Sequence, residues 1–265
     1  MTDLSVKPSS DLAVRTVVGL AMVTVALGAL WLGDIAFWLF TTLLAIGVVR
    51  EWAGLVGVDR ATTRMMMLVL SVPLAIMCPL AAGPNFFALG LIFGAAFFIA
   101  LVTRHDMPAF GMLYAGLPVL GLLVMRSEPR GLLFCFWALG LVWACDVGAY
   151  FVGRMVGGAK LAPTISPNKT WAGLIGGIVI ATLFAVTLHV MSGLPWRLLL
   201  ATPALALLAQ IGDLFESWLK RRAGVKDSGN LLPGHGGLLD RLDGVVPVTP
   251  IAALLVIAPK IQGLF

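Results

Sequence analysis

Between Asp213 and Asp243 the chain carries five acids (Asp213, Glu216, Asp227, Asp240, Asp243) and five bases (Lys220, Arg221, Arg222, Lys226, Arg241), ten of its 31 charged residues in 31 positions. On a helix, Asp213, Ser217 and Lys220 stand at i, i+4 and i+7 and share one face. Asp240 and Asp243, at i and i+3, are expected to point the same way at the start of a following helix. Between Lys220 and Asp240, Gly234-His235-Gly236-Gly237 lets backbone approach a ligand closely, because three of the four residues lack a Cβ. Hard oxygen donors drawn from several elements suit Mg²⁺, which usually binds through one or two carboxylates together with substrate phosphates. The interleaved Lys and Arg residues are suited to neutralising phosphate oxygens. The plain alternative is a charge-balanced loop in which Lys220-Arg221-Arg222 only anchors topology. It explains the acids less well, since Asp213 and Asp243 border apolar helix, where carboxylates are costly.

A second constellation lies upstream. Asp146, Tyr150 and Arg154 stand at i, i+4 and i+8, again on one helix face. Ser166-Pro167-Asn168-Lys169-Thr170 then opens the next helix, whose first N–H groups could hold an anion. Internal pairing of Asp146 with Arg154 and a simple helix cap at Ser166–Thr170 are the alternatives. The run is not a Walker A loop, because the required glycines are missing. His235, flanked by glycines within the charged segment, is a phosphate-contact candidate; His105 and His189 read as structural.

These residues need elements to hold them, and composition says what kind. Of 265 residues, 60% are hydrophobic and 12% charged, against about 25% charged in a soluble domain. The chain is expected to be one integral membrane domain. Nine apolar segments emerge, roughly 15–33, 35–52, 65–82, 86–103, 108–125, 131–153, 171–192, 197–218 and 244–261, each near the ~20 residues of a span. The fold class is therefore an all-α polytopic helix bundle. Residues 1–130 are mostly plain apolar scaffold, and 131–265 form the half with chemical potential. Thr16–Gly33 is too long for a signal-peptide core and reads as the first span. Cys78, Cys135 and Cys145 show no metal-ligand spacing.

Lys and Arg orient the bundle. With nine spans, fourteen of the 18 fall on the side of the N-terminus, and only Arg126, Arg130, Arg197 and Lys260 on the other. The positive-inside rule makes the first side cytoplasmic. The net charge of +5 is dispersed over short loops, so no nucleic-acid partner is implied. The asymmetry between the halves argues against an inverted-repeat transporter.

Ser217-Trp218-Leu219-Lys220-Arg221, Lys226-Asp227 and Pro233-Gly234-His235-Gly236-Gly237-Leu238-Leu239-Asp240-Arg241-Leu242-Asp243 resemble, without a gap, the signature of phosphatidate cytidylyltransferases, the CDP-diacylglycerol synthases. Asp146-Val147-Gly148-Ala149-Tyr150 and Ser166–Trp171 are similar to the same family, although members often carry an acid where this chain has Ala172. The resemblance covers the C-terminal half. It implies that CTP and phosphatidic acid give CDP-diacylglycerol and pyrophosphate with a divalent metal, Mg²⁺ as one or two ions. It also implies a multi-pass protein of the bacterial inner membrane with its site facing the cytoplasm, and it leaves room for a homodimer.

Asp213, Asp240 and Asp243 are then the metal candidates, with Asp146 a further one. Ser217 would complete the metal shell, and Asp227 belongs to the matching catalytic segment. Lys220, Arg221, Lys226, His235 and Arg241 are candidates for the triphosphate and the lipid phosphate. Tyr150, Arg154, Ser166, Asn168, Lys169, Thr170, Gly236 and Gly237 are expected to line the substrate site. Another lipid phosphate as acceptor, or a transporter, are the rival readings. A transporter does not account for the ten-charge segment.

Overall fold

The computed structural model describes residues 8–231 and 236–262. Long helices fall on all nine expected segments: α1 (Pro8–Leu32), α2 (Asp34–Leu55), α3 (Arg60–Ile76), α4 (Phe86–Thr103), α5 (Asp106–Arg126), α6 (Gly131–Val156), α7 (Trp171–Ser192), α8 (Trp196–Arg222) and, after the one-turn α9 (Leu239–Leu242), α10 (Val245–Gln262). Among the described residues, seven helices are long and apolar enough to cross a membrane; α3, with 17 residues, and the apolar part of α1, Val17–Leu32, fall short of that length. Large apolar side chains such as Leu43, Leu68, Phe97, Leu183 and Val190 face outward. Water would penalise such a surface, whereas hydrocarbon accepts it. This is a polytopic helical membrane protein.

Helix boundaries follow local chemistry. Asp59 caps α3 by accepting from Thr62 N at 3.1 Å, and the hydrogen bonds from Thr62 hold its carboxyl below the ordinary carboxylate value. Asn85 caps α4 by accepting from Ala88 N at 2.9 Å, so the Gly83-Pro84-Asn85 turn does divide one long apolar run. Two expectations are corrected. Ser166–Thr170, expected to lead into a helix as its cap, is strand β2, paired antiparallel with β1 (Lys160–Ala162), while α7 starts at Trp171, in line with the expected 171–192 segment. Thr170 ends the strand and caps α7, its Oγ1 accepting from Gly173 N at 3.0 Å. Second, Asp240 and Asp243 do not share a continuous helix, because α9 stops at Leu242 and α10 begins at Val245.

Packing places the site. Helices α6 and α7 approach through small residues: a Cβ on Gly177 would meet the Cys145 carbonyl at 2.7 Å, and one on Gly148 would meet Ile180 Cβ at 2.8 Å. Close backbone approach of this kind is how van der Waals contact drives helix association in lipid. Helices α2, α5 and α8 are tied by the fully buried Trp52, whose ring centroid lies 4.9 Å from Tyr114, 5.6 Å from Phe110 and 6.2 Å from Phe215. Its indole N–H donates to Met107 O at 2.8 Å.

The four cations expected opposite the N-terminal side meet at one end of the bundle. Arg126 donates to Leu30 O, Arg130 to Gly193 O and Arg197 to Leu255 O, while Lys260 pairs with Glu128 at 2.7 Å. Arg126 and Arg130 satisfy carbonyls left open at the ends of α1 and α7. The acidic and basic residues of the candidate site occupy the other end.

Candidate active site

A cavity of about 630 Å³ opens where α6, the hairpin and α8 meet. Helix α6 contributes Asp146, Tyr150 and Arg154; the hairpin contributes Lys160, Asn168, Lys169 and Thr170; α8 contributes Gln210 and Asp213. The volume lies within the roughly 300–1,000 Å³ usual for small-molecule sites. The hairpin supplies Lys169 because the β2 backbone runs extended into the α7 cap, carrying that side chain across to α8.

The central contact is ionic. Lys169 Nζ lies 2.6 Å from Asp213 Oδ2, the two side chains being 17% and 29% exposed. The ammonium is buried and makes no well-aligned hydrogen bond, so its donors remain available to an anion entering the cavity. Ser217 Oγ reaches Asp213 Oδ1 at 3.4 Å, as their i, i+4 spacing foresaw. Asp146 Oδ1 accepts from Gln210 Nε2 at 3.3 Å. It does not pair with Arg154, which donates instead to Tyr150 Oη at 2.9 Å.

Asp243 stands behind Asp213, where α8 and the α9–α10 junction nearly touch; a Cβ on Gly212 would collide with the Asp243 carbonyl. Its Oδ1 accepts from Gly244 N at 2.7 Å. The charges of Asp146, Asp213, Asp243 and Lys169 act on one another. Three carboxylates against one ammonium leave a local excess of negative charge, which a divalent cation would offset.

A second, separate cluster holds Asp240. Lys220 Nζ sits 2.5 Å from Asp240 Oδ1 and 2.5 Å from Glu216 Oε2. Asp240 Oδ2 accepts from Ser228 N at 2.9 Å, Ser228 Oγ at 3.0 Å and Gly237 N at 2.8 Å. Asp240 is thus committed to internal partners, while Asp243 faces the Asp213 side. The two carboxylates, expected to serve one point, are held by different partners: Asp240 by Lys220, Ser228 and Gly237, and Asp243 by Gly244 on the Asp213 side. Among the described residues, no three His, Cys, Asp or Glu side chains form a closed metal-ligand set. Mg²⁺ does not require one, since water and phosphate oxygens commonly complete its shell.

The remaining candidates are dispersed. Lys226, Asp227 and Arg241 are exposed, and Asp227 lines a second cavity of about 490 Å³ with Arg222 and Ser228. Arg221 Nε donates to Ile165 O at 3.4 Å, joining α8 to the hairpin. Ser166 lies on β2, Gly236 has φ +82°, Gly237 is buried, and His235 lies outside the described residues.

Three participants are not apparent from the sequence. Gln210 precedes Asp213 by three positions, so a face count would have found it. Lys160 is a single cation between glycines and prolines, without local signal. Glu51, on α2, reaches the segment after α8 by hydrogen bonds to Ser228, Leu238 and Leu239.

Comparison with known proteins shows the family of the chain. The family model described as cytidylyltransferase family matches residues 13–258. The phosphatidate cytidylyltransferase of Brucella suis biovar 1 (strain 1330) is 38% identical over 254 residues, 93% of this chain and 92% of that protein. That of Staphylococcus saprophyticus is 34% identical over 259 residues, 92% and 98% of the two chains. The phosphatidate cytidylyltransferase of Bacillus subtilis (strain 168) is 50% identical over 135 residues, half of each chain. With the match spanning both the apolar N-terminal helices and the charged cavity, the chain belongs to the cytidylyltransferase family.

Proposed function

We propose that this protein transfers cytidylate from CTP to phosphatidic acid, giving CDP-diacylglycerol and pyrophosphate. A phosphate oxygen of the lipid attacks the α-phosphorus of CTP, the bond from that phosphorus to the bridging oxygen of the β-phosphate breaks, and pyrophosphate leaves. The attacking oxygen is already anionic near neutral pH, so no strong base is needed. The site must instead position two anions and neutralise their charge, the two effects that contribute most to phosphoryl-type transfer.

The observation that carries this reading is the Lys169–Asp213 pair in a cavity lined by both signs of charge. Lys169, Lys160 and Arg154 are placed to meet triphosphate oxygens, and releasing Lys169 from Asp213 frees the carboxylate. Asp213, with Asp146 and Asp243 close by, would hold Mg²⁺; that ion, when bound, supplies charge neutralisation at the triphosphate. Tyr150 and Arg154 brace one wall through their own hydrogen bond. Because the cavity lies at the end of the bundle where the basic loops gather, it faces the cytoplasm of a bacterial inner membrane under the positive-inside rule. The diacyl tails then stay in the bilayer while the headgroup meets the nucleotide.

The test is pyrophosphate release by purified protein supplied with CTP and phosphatidic acid, with and without Mg²⁺. Release that needs all three is expected, with the radiolabelled cytidylate recovered in lipid. No release from protein that is folded and monodisperse would contradict the reading.

A further inference from the structure

We infer that Glu51, far in sequence from the catalytic segment, is a positioning residue: its carboxylate caps the start of α9 and so fixes where Asp240 and Asp243 stand. The inference rests on the proposed reaction only for its consequence, not for the contact itself.

Helix α9 begins without a cap of its own, because its N-cap residue is Leu238 and no side chain there accepts a hydrogen bond. The first N–H groups of a helix have no partner inside it. Glu51 provides that partner from another helix. Its Oε1 accepts from Leu238 N at 2.9 Å and its Oε2 from Leu239 N at 2.8 Å. The side chain is buried, with the residue only 5% exposed, and a negative charge at a helix start is favourable.

The surroundings are shaped to this carboxylate. A Cβ on Gly229 would stand 2.6 Å from Glu51 Oε1, and one on Gly237 would stand 2.5 Å from Oε2. Ser228 Oγ lies 2.9 Å from Glu51 Oε2 and 3.0 Å from Asp240 Oδ2. Its single proton can serve one carboxylate at a time, so the hydroxyl couples Glu51 to Asp240 directly. One turn earlier on α2, Gly47 leaves room for Leu238, whose Cδ2 would be 2.7 Å from an added Cβ. The neighbouring Trp52 fixes this part of α2 against α5 and α8.

Asp240 follows Leu239 directly, and Asp243 lies within one further turn. A shift of the capped amides therefore carries both carboxylates with it. Misplacement of a reacting constellation by about 1 Å can cost on the order of 100-fold in rate.

The test uses the full-length protein and Glu51→Gln, which keeps the shape but turns an N–H donor toward one of the two amides. Hydrogen exchange of the segment from Gly236 to Asp243 is expected to quicken about tenfold as the cap opens. In the same preparation kcat should fall on the order of 10- to 100-fold while KM for CTP stays within about threefold. Unchanged exchange, or faster exchange with kcat intact, would overturn the inference. If Glu51→Gln does not fold, Glu51→Asp, which keeps the charge but withdraws it by one methylene, should show the same pair of effects. Failure of both variants to fold would make Glu51 a folding residue and likewise overturn it. Wild-type protein without turnover in this assay would sink the proposed reaction, whereas the exchange measurement would still decide the cap.

Discussion

Lys169 on strand β2 and Asp213 on helix α8 form an ion pair of 2.6 Å at the cavity between α6 and α8, joining two segments separated by a whole helix. Both side chains keep some exposure, so losing one partner costs folding less than in a fully buried pair. In the proposed reaction the Lys169–Asp213 pair is also a placeholder: the ammonium waits for a phosphate and the carboxylate for a cation.

Replacing Lys169 by Met should therefore do more harm to catalysis than to folding. Removing one charge-assisted contact to the triphosphate is expected to lower kcat/KM for CTP about 100-fold, or about 2.7 kcal/mol at about 1.36 kcal/mol per tenfold. Steady-state kinetics with CTP as the varied substrate measures this. A change of less than threefold would remove Lys169 from the site.

Asp240 and Asp243 should part company. Asp243→Asn keeps the size of the side chain, leaves Gly244 N with an acceptor and removes a charge from the Asp213 side; turnover should drop at least about 1,000-fold with little change in thermal stability. Asp240→Asn breaks the buried pair with Lys220, at a cost of about 3–5 kcal/mol, so its first symptom should be a lower unfolding midpoint in detergent. Thermal unfolding and turnover measured on both variants would show the contrast, and equal stability losses would contradict it.

The α6–α7 interface offers a test away from the chemistry. Gly177→Val would drive a branched side chain into the Cys145 carbonyl, and overpacking of this sort costs about 1–3 kcal/mol. The cavity wall carrying Asp146 and Tyr150 moves with α6, so activity should fall along with the unfolding midpoint. Gly54→Ala, with nothing within 4 Å of its added Cβ, is the control and should leave the midpoint unaltered.

Metal dependence should follow the same residues. Chelation with EDTA is expected to abolish turnover reversibly, and Asp213→Asn should need more Mg²⁺ for half-maximal rate. Titration of rate against free Mg²⁺ decides this; an unchanged requirement would exclude Asp213 as a ligand.

Much of this architecture was legible in the sequence because its signals are local. Apolar runs bounded by charges gave the helices, including the division between 65–82 and 86–103, and the i, i+4 spacing of Asp213 and Ser217 gave a contact that exists. The strand at Ser166–Thr170 was not foreseen, since a two-stranded hairpin depends on pairing with Lys160–Ala162, which no periodicity in five residues reveals. That Asp240 is engaged apart from Asp243 depends on Lys220, Ser228 and Gly237 closing around it, contacts that i, i+3 spacing does not reveal. Glu51 was invisible for a different reason: its partners Leu238 and Leu239 lie 187 and 188 positions away, and only the tertiary fold brings them together.

The sharpest single measurement is the location of a bound metal by anomalous scattering from crystals grown with Mn²⁺ and a non-reactive CTP analogue. The ion is expected beside Asp213, with the triphosphate against Lys169 in the cavity between α6 and α8. An ion and nucleotide seated instead at Asp227 and Arg222, in the second cavity, would contradict the proposed site.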